Sequence, residues 1–294
     1  MKVSEIERIE TTKHFFKLSW KMTNWCNYNC PYCYLPNKPT KPNVEHLIDI
    51  AKSINNLVDK EFELHLIGGE VGWFDLVKLL SNVTTDNYIK TTIVSNFSAP
   101  LSKWVSCIEN LPEVTILASL HLSQCNPNKF IEKALKLKKN VRIKCVVNDE
   151  NLKTYQNLFK GIEKEIRIQP TIQRDTNDNL FNVSQDVIDY VNYINNLNKK
   201  FTMYKVLANG QTFEFRNNAE LLANIEDGLN LKGFHCSAGL NNLRIEPDGT
   251  LLRSSCGNRI VLGNVLTKYK LPKENIICNS NRNCVACDNT VMWK

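Results

Sequence analysis

The tightest constraint in this chain is Cys26-Asn27-Tyr28-Asn29-Cys30-Pro31-Tyr32-Cys33, which sets three thiols within eight residues, with gaps of three and then two residues between them. A loop of that spacing can turn its sulfurs onto one face of a small inorganic cube. Three cysteines saturate only three irons of a four-iron cluster and leave the fourth open to another ligand. Structural zinc sites want four protein ligands in closed, paired spacings, which an isolated trio does not supply. The preceding stretch 15–20 (Phe-Phe-Lys-Leu-Ser-Trp) has strand composition and runs straight into the loop.

The rest of the chain keeps a strand–helix rhythm. Residues 1–14 read as a polar lead-in and 36–42 as a proline-punctuated connector. Asn43 can cap a helix whose apolar face is Val44, Leu47, Ile48, Ala51, Ile54 and Val58. Strands are expected at 63–67, 90–94, 114–120, 141–147 and 166–168, with Gln169-Pro170 closing the last. Helices are expected at 73–80, 102–109, 127–139 and 152–160. This alternation implies βα units, a parallel sheet and right-handed crossovers, an α/β fold. Ligands of such folds collect at the carboxyl ends of the strands. The polar signatures fall there: the cysteine loop, Gly68-Gly69-Glu70, Ser95-Asn96, Ser119 with His121, Asn148 and Gln169. Past residue 175 the rhythm breaks into a helix at 187–197 and a strand at 201–206, and a soft boundary falls near residue 230.

With 294 residues the chain can bury a full core, and 43% apolar and 23% charged residues are ordinary for a globular protein. It has no run of about 18 apolar residues, which excludes a spanning helix. The charged N-terminus lacks a secretory core, so a reducing, cytoplasmic setting is expected, in which eleven cysteines point to metal ligation more than to disulfides. The net charge of +7 is spread out, with modest clusters at 133–144 and 199–200, and reads as a lysine-rich solvated surface.

The C-x3-C-x2-C loop, with an aromatic residue just before the last cysteine, resembles the signature of radical S-adenosylmethionine enzymes. The resemblance implies a partial (β/α)6 TIM-like barrel over residues 1–230, with Cys26, Cys30 and Cys33 holding a [4Fe-4S] cluster whose open iron takes S-adenosylmethionine. Gly68, Gly69 and Glu70 then look like the segment that holds the methionine amino group, the glycines admitting close backbone approach and Glu70 offering a carboxylate. Ser95, Asn96 and Ser119 resemble positions reaching the ribose and the methionine carboxylate. Lys144 and Asn148 are further candidates for the carboxylate and adenine, and Tyr32 resembles the adenine contact through its backbone. His121 is either a catalytic-cavity residue that contacts substrate or ribose, or a satisfied rim histidine.

Five more cysteines, Cys236, Cys256, Cys278, Cys284 and Cys287, crowd the last sixty residues. Residues 243–252 read as a strand, a Pro-Asp-Gly turn and a second strand, a hairpin that can bring two cysteines together ahead of the closing C-x2-C pair. Such a set is a four-thiolate site for a metal or cluster. It resembles the twitch domain, the shorter relative of the SPASM extension, implying a small α+β unit over 231–294. In that unit Cys236, Cys256, Cys284 and Cys287 hold one auxiliary [4Fe-4S] cluster. Six residues separate Gly249 from Cys256 where the SPASM pattern has four, Cys278 could replace one of the four ligands, and zinc competes for the site. Cys107, Cys125 and Cys145 fall in barrel elements and read as buried hydrophobes.

The resemblance implies that one electron, from a donor such as flavodoxin or ferredoxin, cleaves S-adenosylmethionine to a 5′-deoxyadenosyl radical that takes a substrate hydrogen. An auxiliary cluster favours oxidative outcomes, dehydrogenation or bond formation, on a peptide or a small polar metabolite. Peptide-modifying members often carry a leader-binding domain before the barrel, and 25 residues precede Cys26. Two alternatives remain: radical modification of a nucleotide or nucleic-acid base, and a zinc-bearing nucleic-acid-binding protein without catalysis. The basic surface keeps the first in play without a stacking motif to support it, and the second wants basic residues interleaved with aromatics near the cysteines, of which Arg253 and the stretch 281–284 are a thin showing.

Overall fold

The computed structural model describes residues 1–11, 15–33, 35, 41–173, 182–197, 204–215, 220–221, 224–226, 228–254, 260–281, 284 and 291–294. The connector at 36–40, the stretch at 174–181, Lys199-Lys200 and the two thiols Cys256 and Cys287 lie outside the described residues.

Six βα units follow one another from residue 16. β2 (Phe16–Thr23) leads to α1 (Val44–Ile54), β3 (Phe62–Gly68) to α2 (Leu76–Leu80), and β4 (Tyr88–Ser95) to α3 (Leu101–Asn110). β5 (Val114–Leu120) leads to α4 (Pro127–Lys136), β6 (Val141–Val147) to α5 (Leu152–Phe159), and β7 (Arg167–Ile172) to α6 (Gln185–Leu197). The six strands pair in parallel in the order β2-β3-β4-β5-β6-β7. They form a partial barrel in which β7 stays an edge.

The local signals behave as the chemistry demands. The Asn43 side chain accepts from the Glu45 N–H and caps α1. The Asn126 side chain accepts from the N–H groups of Asn128 and Lys129 and caps α4, with Pro127 in the first turn of that helix. Helix faces pack on one side of the sheet: Leu47, Ile50, Ala51 and Ile54 of α1, Trp104 of α3, Phe130 and Ala134 of α4 and Val187 of α6 join the alternate strand residues in one core. β7 corrects an expectation. The strand runs on through Pro170 to Ile172, because proline withholds only the N–H, and an edge strand has a side on which no neighbour needs it.

The lead-in expectation for residues 1–14 is also corrected. β1 (Ile6–Thr11) is a strand, pairing antiparallel with β8 (Tyr204–Ala208) and with β15 (Met292–Trp293). β9 (Gln211–Phe215), β10 (His235–Cys236) and β14 (Ile276–Ile277) complete a second sheet in the order β14-β10-β15-β1-β8-β9. Its core gathers Ile6, Ile9, Tyr204, Val206, Leu231, Phe234 and Met292. The expected hairpin is β11 (Asn242–Ile245) and β12 (Thr250–Leu252), followed by β13 (Val261–Asn264). β11 adds in parallel to β2, so hydrogen bonding carries the stretch after residue 230 into both sheets.

Trp104 is fully buried among Phe97 and the α3 face and donates its Nε1–H to the Ala99 carbonyl at 3.1 Å. Trp104→Ala is expected to cost about 3–5 kcal/mol, read as a lowered urea midpoint at unchanged slope.

Candidate functional site

The carboxyl ends of the barrel strands carry one connected polar assembly around the cysteine loop. Gly69 N–H donates to the Thr23 carbonyl and Glu70 N–H to the Trp25 carbonyl, each at 2.8 Å, so the end of β3 is stitched to the chain entering the loop. A Cβ on Gly68 would sit 2.4 Å from the Thr23 oxygen, and one on Gly69 1.9 Å from the Trp25 oxygen. The glycine pair is therefore required by the approach of one backbone to another. In this structure what the glycines admit is the root of the cysteine loop.

Glu70 and Ser95 make their hydrogen bonds to each other and to nearby backbone. Glu70 is fully buried, and its carboxylate is spent inside the protein. Oε1 accepts from Gly72 N–H at 2.7 Å and from the Ser95 hydroxyl at 2.6 Å, and Oε2 accepts from Asn96 N–H at 2.6 Å. Burial pushes the Glu70 carboxyl above its usual range, opposed by these three donors and by Lys133. The Ser95 oxygen, 2% exposed, also accepts from Phe97 N–H at 2.8 Å. Both side chains are buried and hydrogen-bonded within the protein. Asn96 reaches the cluster loop itself: its amide nitrogen donates to the Asn27 oxygen at 2.9 Å and lies 3.7 Å from the Cys26 sulfur.

The loop is held from the far side too. Gln124, in the turn after β5, accepts from Asn29 N–H at 2.9 Å and donates to the Asn29 carbonyl at 3.3 Å. His121 Nδ1 lies 2.7 Å from the Tyr32 hydroxyl, with the rings stacked at 5.8 Å, and Tyr28 meets the same imidazole edge-on at 6.1 Å. Burial lowers His121 to about 4, so the ring is neutral at pH 7 and shares one hydrogen bond between Nδ1 and the Tyr32 hydroxyl. Tyr28 is pushed up to about 12, first by burial. Ser98 and Gln124 were not singled out from the sequence, because their importance comes from touching the loop across 71 and 95 residues of chain.

Asn148 exchanges hydrogen bonds with Asn151, Oδ1 accepting from Asn151 N–H at 3.1 Å and its own N–H reaching the Asn151 oxygen at 2.9 Å, which shapes the start of α5. Ser119 and Lys144 pair in register on β5 and β6, both half-buried on the inner side of the sheet.

The loop's donor set fits a cubane cluster. Cys26, Cys30 and Cys33 are outside any disulfide, and backbone N–H groups of Tyr28 and Leu35 point at the sulfurs of Cys26 and Cys33, each at 3.4 Å. Such donors stabilise ligating thiolates and tune a bound cluster. Among the described residues no group of three or more His, Cys, Asp and Glu side chains converges on a single ion. A cluster asks for something else, one thiolate on each of several irons spread around a cube.

At the tail, Cys236 lies opposite Met292 in the ladder, and the Cys284 sulfur is 3.8 Å from the Met292 sulfur. Cys278 follows β14 and donates its N–H to the Phe234 carbonyl, which puts it diagonally across from Cys236 on the neighbouring strand. All three are outside any disulfide and partly buried. Cys107 and Cys145 are buried in the barrel core as expected, and Cys125 is half-buried against it.

Gly69→Ala is expected to abolish iron uptake, because the new methyl meets backbone that cannot yield, whereas Gln124→Ala, which only unstraps the loop, should retain the cluster and speed its loss to a chelator several-fold. His121 makes a pH-dependent contribution. Its folded value is depressed, so the stability it contributes is present above its usual 6.5 and is lost as pH falls towards about 4. Thermal unfolding midpoints across that window should fall less steeply for His121→Gln than for the unsubstituted protein.

No family model matches the sequence, and no curated protein matches it. Solved structures do match the fold. The protein anSMEcpe with bound AdoMet is 17% identical, with a TM-score of 0.57 over 87% of this chain and 79% of that one. Streptococcus suis SuiB bound to S-adenosylmethionine is 16% identical, with a TM-score of 0.56 over 86% of this chain and 64% of SuiB. SuiB bound to precursor peptide SuiA is 16% identical, with a TM-score of 0.55 over 88% and 64%. Among the described residues no helix is long and apolar enough to cross a membrane. With six parallel strands, outer helices and the cysteine loop at their carboxyl ends, the chain has the partial-barrel fold of radical S-adenosylmethionine enzymes.

Proposed function

We propose that this chain is a radical S-adenosylmethionine enzyme that oxidatively modifies a peptide. The observation that carries the reading is the cysteine loop, seated at the carboxyl end of the barrel and fastened by Gly69, Glu70, Asn96 and Gln124. Cys26, Cys30 and Cys33 would hold the cluster. Bound together, cluster and S-adenosylmethionine supply a 5′-deoxyadenosyl radical able to remove a hydrogen atom from substrate.

The chain's own residues do the positioning. Glu70 fixes the β3 and β4 ends relative to each other through its bonds from Ser95 and Asn96, with Gly72 N–H closing its own turn, so the loop root and the Asn96 amide keep a set geometry. The Tyr32 ring stacked on His121, with Tyr28 edge-on to the same imidazole, forms an aromatic cluster next to the loop. Tyr32 by its backbone, Ser119, Lys144, Asn148 and the Asn96 amide are the positions we assign to S-adenosylmethionine, Glu70 and Ser95 contributing through the loops they brace.

Residues 231–294 are proposed as a twitch-like unit in which Cys236, Cys256, Cys284 and Cys287 hold an auxiliary [4Fe-4S] cluster. Cys278 is the ready substitute, since it lies beside Cys236. Removing a hydrogen atom and one further electron from substrate completes a two-electron oxidation, and an auxiliary cluster is a group able to take that electron. Peptide substrates are favoured because SuiB, of the same fold, binds a precursor peptide. A flavodoxin or ferredoxin is the proposed donor and the cytoplasm the proposed compartment.

Anaerobic reconstitution followed by iron and sulfide analysis tests this. About eight irons per chain are expected, falling to about four when Cys236 and Cys284 are both changed to Ala, and to about four without 5′-deoxyadenosine formation when Cys30 and Cys33 are changed. About four irons in the unsubstituted protein, with zinc in the tail, would remove the oxidative reading while leaving the radical one.

A further inference from the structure

Lys133, on α4, is a half-buried cation that no step of the proposed chemistry uses. Its side chain reaches back across 36 residues of chain to the turn that follows β4. It donates to the Phe97 carbonyl, donates to the Ala99 carbonyl at 3.0 Å, and lies 4.5 Å from the centre of the Phe97 ring. Burial lowers the pKa of Lys133, and Glu70 opposes that.

The turn held in this way is one the chain would not adopt unaided. Phe97 has a φ of 60°, in the left-handed region that a bulky side chain rarely enters. Such a residue persists where its surroundings over-determine it. The Phe97 ring is fully buried, with Trp104 at 5.3 Å and Phe130 edge-on at 5.5 Å. The two halves of the turn are held by opposite charges: Glu70 takes the Asn96 N–H, and Lys133 takes the Phe97 carbonyl. That carbonyl and the Ser98 N–H are the two ends of one planar peptide group. With the oxygen fixed on Lys133, the N–H at the other end donates to Asn96 Oδ1 at 3.0 Å. The Asn96 amide, its oxygen so occupied, turns its nitrogen to the Asn27 oxygen at 2.9 Å and to 3.7 Å from the Cys26 sulfur. A chain of polar groups therefore runs from the lysine, through one peptide plane and one amide, to the first thiol of the loop. Its donors all point the same way, so each bond polarises the next.

We propose that Lys133 is a positioning residue for the cysteine loop: by fixing the Phe97–Ser98 peptide it aims the Asn96 amide at the Cys26 sulfur, and so raises the reduction potential of the cluster held there. A donor at a ligating sulfur favours the reduced, more negative cluster. The inference rests on the radical-enzyme reading for the identity of that cluster, while the clamp on the turn can be tested apart from it.

The full-length protein is reconstituted anaerobically and titrated reductively by EPR, and the signal that changes when S-adenosylmethionine is added marks the cluster of the loop. Lys133→Met should make one-electron reduction of that cluster roughly tenfold less favourable, about 59 mV more negative, at unchanged iron content. Lys133→Arg, which keeps a charged donor for the same carbonyl, should recover most of the loss. Lys129→Met, one turn earlier on the exposed surface of α4, should shift nothing. With Asn96→Ala already in place, Lys133→Met should add no further shift, because the lysine acts through that amide. A second readout needs no cluster: hydrogen exchange of the apoprotein over residues 96–99 should quicken several-fold in Lys133→Met and not in Lys129→Met. An unchanged potential in Lys133→Met, a shift as large with Asn96→Ala as without it, or unchanged exchange overturns the proposal. If no signal responds to S-adenosylmethionine while exchange still quickens, the radical reading falls and the clamp on the turn stands.

Discussion

The Glu70 carboxylate is the interaction on which the site depends. A fully buried carboxylate is tolerable only when its lone pairs are satisfied, and here three donors from two strand ends converge on it. Hydrogen bonds to charged groups contribute about 1.5–3 kcal/mol each and lose more when one partner is removed. The carboxylate therefore locks the end of β3 to the end of β4. The same three-residue segment, through the amides of Gly69 and Glu70, grips the chain between β2 and the cysteine loop. One buried charge thus sets the relation among the first three barrel strands at the end where the thiols sit.

From that lock outward, the loop is held at several independent points. Asn96 meets Asn27 and approaches the Cys26 sulfur, Gln124 clasps Asn29, and His121 bonds Tyr32. These attachments come from the ends of two different strands, β4 and β5, so the loop's shape is set by the sheet and does not rely on its own short sequence. A site that must place thiolates around a cluster and leave one iron accessible gains from such preorganisation.

The two sides of the barrel sheet divide the work. The outer side packs against the helices with aliphatic and aromatic residues and supplies the stability, as at Leu64, Ile93, Ile116 and Ile143. The inner side carries Glu63, Thr92, Arg142, Lys144, Arg167 and Gln169, a polar wall that a purely structural barrel would have filled with apolar groups. Because the side-chain period of a strand is two, both roles are written on the same strands without conflict.

Much of this was legible in the sequence where the signal is local. The six βα units follow from strand and helix periodicity, and β5 and β6 fall on their expected residues. The cysteine loop follows from spacing alone, and the Pro-Asp-Gly turn announced the β11–β12 hairpin. What the sequence could not determine depends on chain brought from far away. β1 reads as polar lead-in because its partners, β8 and β15, lie nearly two hundred residues on or more. Nor does the local sequence of Gly68-Gly69-Glu70 show that the Trp25 oxygen lies where a Cβ would stand or that three donors converge on the carboxylate. The adjacency of Arg142 and Arg167 is likewise a matter of register between strands, fixed by packing of the alternate, apolar faces. Residue type and local spacing determined the fold class and the thiol loop; which groups meet, and which are already spent on one another, only the tertiary structure decided.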